Sequence, residues 1–371
     1  MVIGVPKEMH RHEHRVGLTP FAVAKLTHCG HSVYIERDAG QAAHFTDEAY
    51  ADTGAQIVYD PSEVYGRSDL VCRFGALSPD ELEYVKEGST ICGFHHLAVA
   101  PRDAVETLMK RKATLIGYEI VQDDEGQLAA LWPMSELAGQ MAVDMAAQLL
   151  RYESGGRGII LGTATGLPPA TVVILGAGAV GSSAARFALD RGAHVLLIDN
   201  DLKKLHRVNW ELGGRVVTAL GGTARLERYT AIADVLIGAI LIPGGRSPLL
   251  VTEEMVKAMK PGSVIIDVSI DQGGCVETSR PTTLDNPTFR VHDVVHYCVP
   301  NMTADIPRTA SRAMANGALP FIMEMAEKGA RQALRDNEGL GRGVYLYEGK
   351  MVNQLTGETL GIPAVPLSDL L

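Results

Sequence analysis

The chain has 371 residues, enough for two or three domains at roughly 150 residues each, and 46% hydrophobic with 21% charged residues is the balance of a folded globular protein. A net charge of −10 with no basic block argues against a nucleic-acid partner. The five cysteines (Cys29, Cys72, Cys92, Cys275, Cys298) are odd in number and form no CxxC pair, so neither a disulfide framework nor a metal site is expected, and a reducing cytoplasm fits. The N-terminal residues lack a signal-peptide apolar core and no run of about 18 apolar residues follows, so no membrane association is expected.

Over the first 130 residues, short apolar runs at Val2–Val5, Ser32–Ile35, Leu70–Phe74, Thr90–Phe94 and Thr114–Tyr118 alternate with helix-patterned segments. That rhythm predicts an α/β unit with a mostly parallel sheet. Thr19-Pro20 opens a helix that ends by Gly30, and Ser78-Pro79-Asp80-Glu81 reads as a capping box with proline at the first helical position. From Ser135, the spacing of Leu137, Met141, Met145 and Leu149 predicts a long connecting helix that stops at Gly155-Gly156, a hinge between two domains. After the Gly-, Thr- and Pro-rich stretch 155–169, a second α/β array runs through Thr171–Leu175, His194–Ile198, Val235–Ile237 and Val264–Val268. Beyond Asn301 the chain reads as helical over Thr309–Leu334, kinked at Pro320, and free to close back onto the first domain. No tandem repeat or low-complexity tract occurs.

Gly176, Gly178 and Gly181 form G-x-G-x-x-G at the end of a predicted strand and the start of a helix, with Ala179 and Val180 between. The first glycine permits a tight turn, the second close approach of backbone to a pyrophosphate, and the third close helix packing, while the helix N-terminus supplies amide donors. The next strand ends at Asp199, 23 residues after Gly176, where a carboxylate accepts ribose hydroxyls. Asp199-Asn200-Asp201 would repel a ribose 2′-phosphate, so NAD is favoured over NADP. An ordinary glycine turn beside an exposed aspartate is the bland alternative.

Five further stretches resemble, in order, the alanine dehydrogenase family, which is related to the NAD-binding subunit of proton-translocating transhydrogenase. They are Gly4-Val5-Pro6-Lys7-Glu8 with Arg15-Val16; Phe94-His95-His96-Leu97-Ala98; Pro133-Met134-Ser135-Glu136-Leu137-Ala138-Gly139; Ile270-Asp271-Gln272-Gly273-Gly274; and Tyr297-Cys298-Val299 with Asn301-Met302. The resemblance spans nearly the whole chain. It implies two Rossmann-like domains: a discontinuous substrate domain, 1–133 with 306–371, and an inserted NAD-binding domain, 134–305. It also implies a homohexamer that interconverts L-alanine and pyruvate plus ammonia with NAD.

The resemblance likewise assigns roles. Arg15 would grip the substrate carboxylate, although taken alone, among His10, Arg11, His12 and His14, it reads more readily as a solvated side chain. His96, after a strand, would polarise a carbonyl or relay a proton, with His95 as competitor and a packed core histidine as the bland reading. Asp271 would work with it on water and protons around the imine and carbinolamine; Asp267 is the less favoured alternative, and a self-satisfied turn aspartate the bland one. Met134, Ser135, Asn301 and Met302 would lie toward the nicotinamide, though both methionines alone read as core. Ala239 and Ile240 end a strand over the expected cofactor path.

One departure stands out. The family's Lys-Val-Lys-Glu-Pro, whose second lysine binds the substrate's keto or amino group, aligns with Arg73-Phe74-Gly75-Ala76-Leu77, so the lysine becomes Gly75. Arg73 projects from the same strand face and is expected to compensate in part, as a substrate-binding cation that does not give up its proton. Pro300 and Thr303-Ala304-Asp305 also differ from the residues usual around Asn301-Met302. Alternatives to alanine turnover are therefore a diverged paralogue acting on another amino acid, an imine or a 2-keto acid, and a non-catalytic NAD(H)-binding protein.

Overall fold

The computed structural model describes residues 1–371. Fifteen strands are formed: β1 (Val2–Val5), β2 (Ser32–Glu36), β3 (Gln56–Val58), β4 (Leu70–Cys72), β5 (Thr90–Gly93), β6 (Thr114–Gly117), β7 (Thr171–Leu175), β8 (His194–Asp199), β9 (Val217–Leu220), β10 (Val235–Gly238), β11 (Val264–Asp267), β12 (Thr288–Val291), β13 (Val294–Tyr297), β14 (Val344–Tyr347) and β15 (Lys350–Met351). The chain divides into two compact units, one of residues 1–134, 243–245 and 304–371, the other of 135–242 and 246–303. Pro243–Gly245, inside the expected 134–305 span, packs with the first unit, where the Thr356 hydroxyl donates to the Gly244 carbonyl at 2.8 Å.

The sheet of the first unit has the order β15-β14-β6-β5-β4-β1-β2-β3, and that of the second β12-β13-β11-β10-β7-β8-β9. In each, six parallel strands wind outward in both directions from a first strand, β1 or β7, with an antiparallel edge added. Both are α/β sheets of Rossmann type, with a topological switch point between β1 and β4 and another between β7 and β10. Central strands such as β4, β10 and β11 are buried along their whole length, which is why they read as unbroken apolar runs.

Local signals explain most boundaries. Thr19 caps the helix Pro20–His28 by accepting Ala22 N–H, and Gly30 takes φ +83° beyond its end. The connecting helix runs Trp132–Leu149, starting before Ser135. The predicted helix at Ser78 is only a 3₁₀ turn, Glu81–Glu83: the reciprocal box bonds form, Glu81 carboxylate to Ser78 N–H at 2.8 Å and Ser78 Oγ to Glu81 N–H at 3.3 Å, but Glu81 also serves a buried arginine described below. The C-terminal helix is two, Pro307–Lys328 and Ala330–Asp336, because Gly329 at φ +81° breaks the ladder after Pro320 has been absorbed inside the first. β14 and β15 were not anticipated; Glu348 and Gly349, both at positive φ, turn them into a hairpin whose first strand pairs antiparallel with β6. No helix is long and apolar enough to cross a membrane.

Candidate active site

In the second unit the glycine loop sits at the switch point. Gly176 has φ +105°, and a Cβ there would lie 2.4 Å from the Ala239 carbonyl oxygen; a Cβ at Gly181 would lie 1.8 Å from the Gly176 oxygen. Any side chain at either position would break the packing of the loop against β10 or its own helix. Gly178 differs: its backbone is extended, φ −78° and ψ −165°, and a Cβ there would meet nothing within 4 Å. The helix Ala179–Asp190 begins there without a side-chain cap, so Ala179, Val180 and Gly181 open an amide-bearing helix end onto free space. That is the cradle a pyrophosphate requires.

Asp199 ends β8 and faces this loop, one oxygen accepting Ala177 N–H at 2.7 Å and the other Asp201 N–H at 2.8 Å. A carboxylate so held keeps acceptor capacity for ribose hydroxyls. Ala239 N–H donates to the Leu175 carbonyl at 2.8 Å and Ile240 N–H to Ser269 Oγ at 2.9 Å, which brings both residues beside Gly176. The connecting helix approaches from another side: Ser183 Oγ donates to the Glu136 carbonyl at 2.8 Å, and a Cβ on Gly139 would lie 2.5 Å from the Val180 oxygen. Ser135, 8% exposed, lies on that helix. Met134, one residue earlier, is buried in the first unit.

Asp271 is half-buried on the 3₁₀ turn that follows β11, and it accepts Asn301 N–H at 2.7 Å. Asn301 adopts φ +52°, and Met302 beside it is buried. The alternative, Asp267, is buried under Cys275 and Val276 N–H donors, and burial raises its pKa; it is a structural clamp of the turn.

In the first unit the switch point between β1 and β4 is closed by charge. Arg73, 0% exposed, donates to Glu8 at 2.6 Å, to both Glu81 oxygens at 2.9 and 3.1 Å, to Tyr65 at 3.1 Å, and to the carbonyls of Gly75 and Ala76. The expectation that Arg73 binds substrate is corrected: every guanidinium donor is already committed to the protein. Glu8 also accepts Phe74 N–H at 2.5 Å; burial, opposed by Arg73, and the nearby Glu13 and Glu81 carboxylates push it up to about 7.

Arg15 is also enclosed, at 3% exposure, with its guanidinium 3.8 Å from the Phe74 ring centre and doubly bonded to Glu13. A Cβ at Gly75 would stand 3.5 Å from Glu13 Oε2 and 3.7 Å from Glu8 Oε2. The position aligned with the family lysine therefore faces two carboxylates. Glu13 holds Arg15 in the paired geometry a substrate carboxylate would use.

A row of rings leads on from Arg15. Phe74 lies 5.5 Å from Phe94, and Phe94 stacks on His96 at 6.3 Å and 17°. His96 is in the left-handed conformation, φ 44° and ψ 45°, which costs roughly 1 kcal/mol for a non-glycine residue. Its Nδ1 is buried without a hydrogen-bond partner. His95 is enclosed, and burial with the Arg73 charge lowers it to about 3, so it is the packed neutral histidine of the pair. Both backbone N–H groups, of His95 at 3.3 Å and His96 at 2.5 Å, donate to Glu119, which also accepts the Tyr345 hydroxyl at 2.9 Å. Sequence reasoning passed over Glu8, Glu13, Glu81 and Glu119. Glu8 lay within a motif already quoted and Glu81 within the capping box, whereas Glu119 carried no local signal.

The winding of the second sheet with its glycine loop and acid is that of a Rossmann-type α/β protein. Comparison with known proteins gives the family. The model "Alanine dehydrogenase/PNT, N-terminal domain" matches residues 4–138 and "Alanine dehydrogenase/PNT, C-terminal domain" residues 142–354. Alanine dehydrogenase of Mycolicibacterium smegmatis is 40% identical over 363 residues, 98% of each chain, and that of Methanococcus maripaludis 40% identical over 367 residues, 99% of this chain and 98% of the relative. A solved L-alanine dehydrogenase superposes with a TM-score of 0.89 at 39% identity, covering 97% of this chain and 99% of the other. A Sinorhizobium meliloti transhydrogenase structure, TM-score 0.80 at 23% identity, shares the fold. The chain belongs to the Alanine dehydrogenase/PNT family and is an oxidoreductase of alanine dehydrogenase type.

Proposed function

We propose that the chain is an NAD-dependent amino-acid dehydrogenase that interconverts a small L-amino acid and its 2-keto acid plus ammonia. The open, uncapped helix start at Gly178 beside Asp199 carries this reading, because it fits a pyrophosphate and an unphosphorylated ribose together. Gly176, Gly178, Ala179, Val180, Gly181 and Asp199 would hold NAD, with Ala239 and Ile240 packed along the cofactor path beside Gly176 and Met134, Ser135, Asn301 and Met302 toward the nicotinamide. Bound NAD would supply the two-electron acceptor for oxidation at the α-carbon.

The protein's own groups do the rest. Arg15 holds the substrate carboxylate once Glu13 yields its place; His96 donates to or accepts from the substrate oxygen or nitrogen; Asp271 orients the water that enters at the imine carbon. A homo-oligomer, hexameric by family likeness, is part of the reading. Five free cysteines, four of them buried, suit a reducing cytoplasm.

A second reading is favoured at Gly75: with no lysine there and Arg73 neutralised by Glu8 and Glu81, the substrate is other than alanine, a larger amino acid or an imine. NADH oxidation with ammonium and a panel of 2-keto acids, for the wild type and Gly75→Lys, tests both. Brisk wild-type turnover of pyruvate supports the first; turnover of a larger keto acid, with pyruvate gained only by the lysine variant, supports the second. No turnover of any panel member by either protein would sink the dehydrogenase reading. In the active case His96→Ala is expected to lower kcat by about 10²–10⁴-fold while NADH still binds.

A further inference from the structure

We propose that Glu119 is a positioning residue for His96: anchored by Tyr345, its buried carboxylate holds the His95–His96 turn in its left-handed form and so sets the aim of the His96 imidazole. The inference rests on the reading of His96 as the proton-handling group. Glu119 is 1% exposed, and its two oxygens collect three donors: His96 N–H and the Tyr345 hydroxyl on Oε1, His95 N–H on Oε2. Two successive amides turned toward one carboxylate form a backbone nest, an arrangement that a charged acceptor stabilises more strongly than a neutral one.

The imidazole depends on that turn. Nδ1 has no hydrogen-bond partner, so nothing bonded at that nitrogen fixes the ring, and its direction follows from the backbone angles and the stack on Phe94. Glu119 is itself held from a distant part of the chain. Tyr345 sits on β14, the antiparallel strand that the C-terminal segment adds beside β6, and it reaches Glu119 across Gly117, where a Cβ would lie 2.3 Å from the Tyr345 ring. A strand near the C-terminal end of the first unit thus secures a turn some 250 residues earlier.

The test is a double-mutant cycle on the full chain, read with whichever 2-keto acid is turned over. Glu119→Gln is expected to lower kcat about ten- to a hundredfold with the KM for NADH close to wild type, because a small misplacement of a catalytic group suffices. In a His96→Ala background the same change should have no further effect. Tyr345→Phe, which keeps the carboxylate, should lower kcat about threefold and serves if Glu119→Gln does not fold. Independently of turnover, the His96 Cε1–H resonance, assigned by its loss in His96→Ala, should move in both variants.

An equal fall from Glu119→Gln with and without His96 would overturn the proposal, as would an unchanged kcat and an unmoved resonance. If His96→Ala itself leaves turnover intact, the catalytic reading of His96 falls first and takes the positioning role with it. An inert Glu119→Gln beside a crippled His96→Ala overturns the positioning role alone.

Discussion

The two halves of the molecule wind their strands in the same order yet treat the switch point in opposite ways. Between β7 and β10 the chain places glycines, one of them opening free space at an uncapped helix end. Between β1 and β4 it places Glu8, Arg73 and Glu81, fully buried and bonded to one another. The winding provides a crevice at the carboxyl ends of the strands; the side chains decide whether it receives a ligand or becomes a polar core. The candidate chemistry of the first unit lies instead with Arg15 over Phe74 and with His96 at the end of the ring row.

The largest expected effect breaks the closed switch point. Arg73→Met leaves Glu8 and Glu81 buried without their cation, and removing one partner of such a cluster costs about 3–5 kcal/mol. Denaturant titration should show the first unit destabilised by that order. A variant of near wild-type stability would mean the cluster is solvated and the two switch points are alike.

The open switch point predicts a split between two glycines. Gly178→Ala adopts an ordinary backbone and meets no protein atom, so it should keep the melting temperature while weakening NADH binding by about tenfold, or 1.4 kcal/mol. Gly181→Ala drives a methyl against the Gly176 oxygen and should lose stability first. Calorimetric titration beside thermal melts would collapse the distinction if both variants behaved the same way.

The smallest effect concerns pH. The folded state raises Glu8 from 4.5 to about 7, so it binds that proton more tightly than the unfolded chain does. The associated stability is complete below about pH 4.5 and is lost as pH rises through 7. We expect stability to decline across that window in the wild type and a flatter profile in Glu8→Gln. Parallel profiles for the two proteins would place the titration elsewhere.

Much of the fold was legible because it is written in local patterns. Buried parallel strands leave unbroken apolar runs, and caps such as Thr19-Pro20 and turns such as Gly30 mark helix ends chemically. The glycine loop and Asp199 were readable for the same reason: their meaning lies in spacing along one β-α-β segment. Misreadings came where a residue serves a distant partner. Ser78–Glu81 has the bonds of a capping box but yields a single 3₁₀ turn, with Glu81 also bonded to Arg73. Arg73, placed by strand alternation on the right face, looked available for substrate until Glu8, 65 residues away, was seen to hold it.

The sequence by itself determined the class of fold, the glycine loop and the family, because these depend on periodicity, glycine sterics and motifs that are contiguous in the chain. Only the tertiary structure decided which charges are free to act. Glu8 meets Arg73, Glu13 faces the space over Gly75, and Tyr345 reaches Glu119 behind His96. Burial makes each of those pairings strong, and burial is a property of the packed sheet that no local stretch of residues carries.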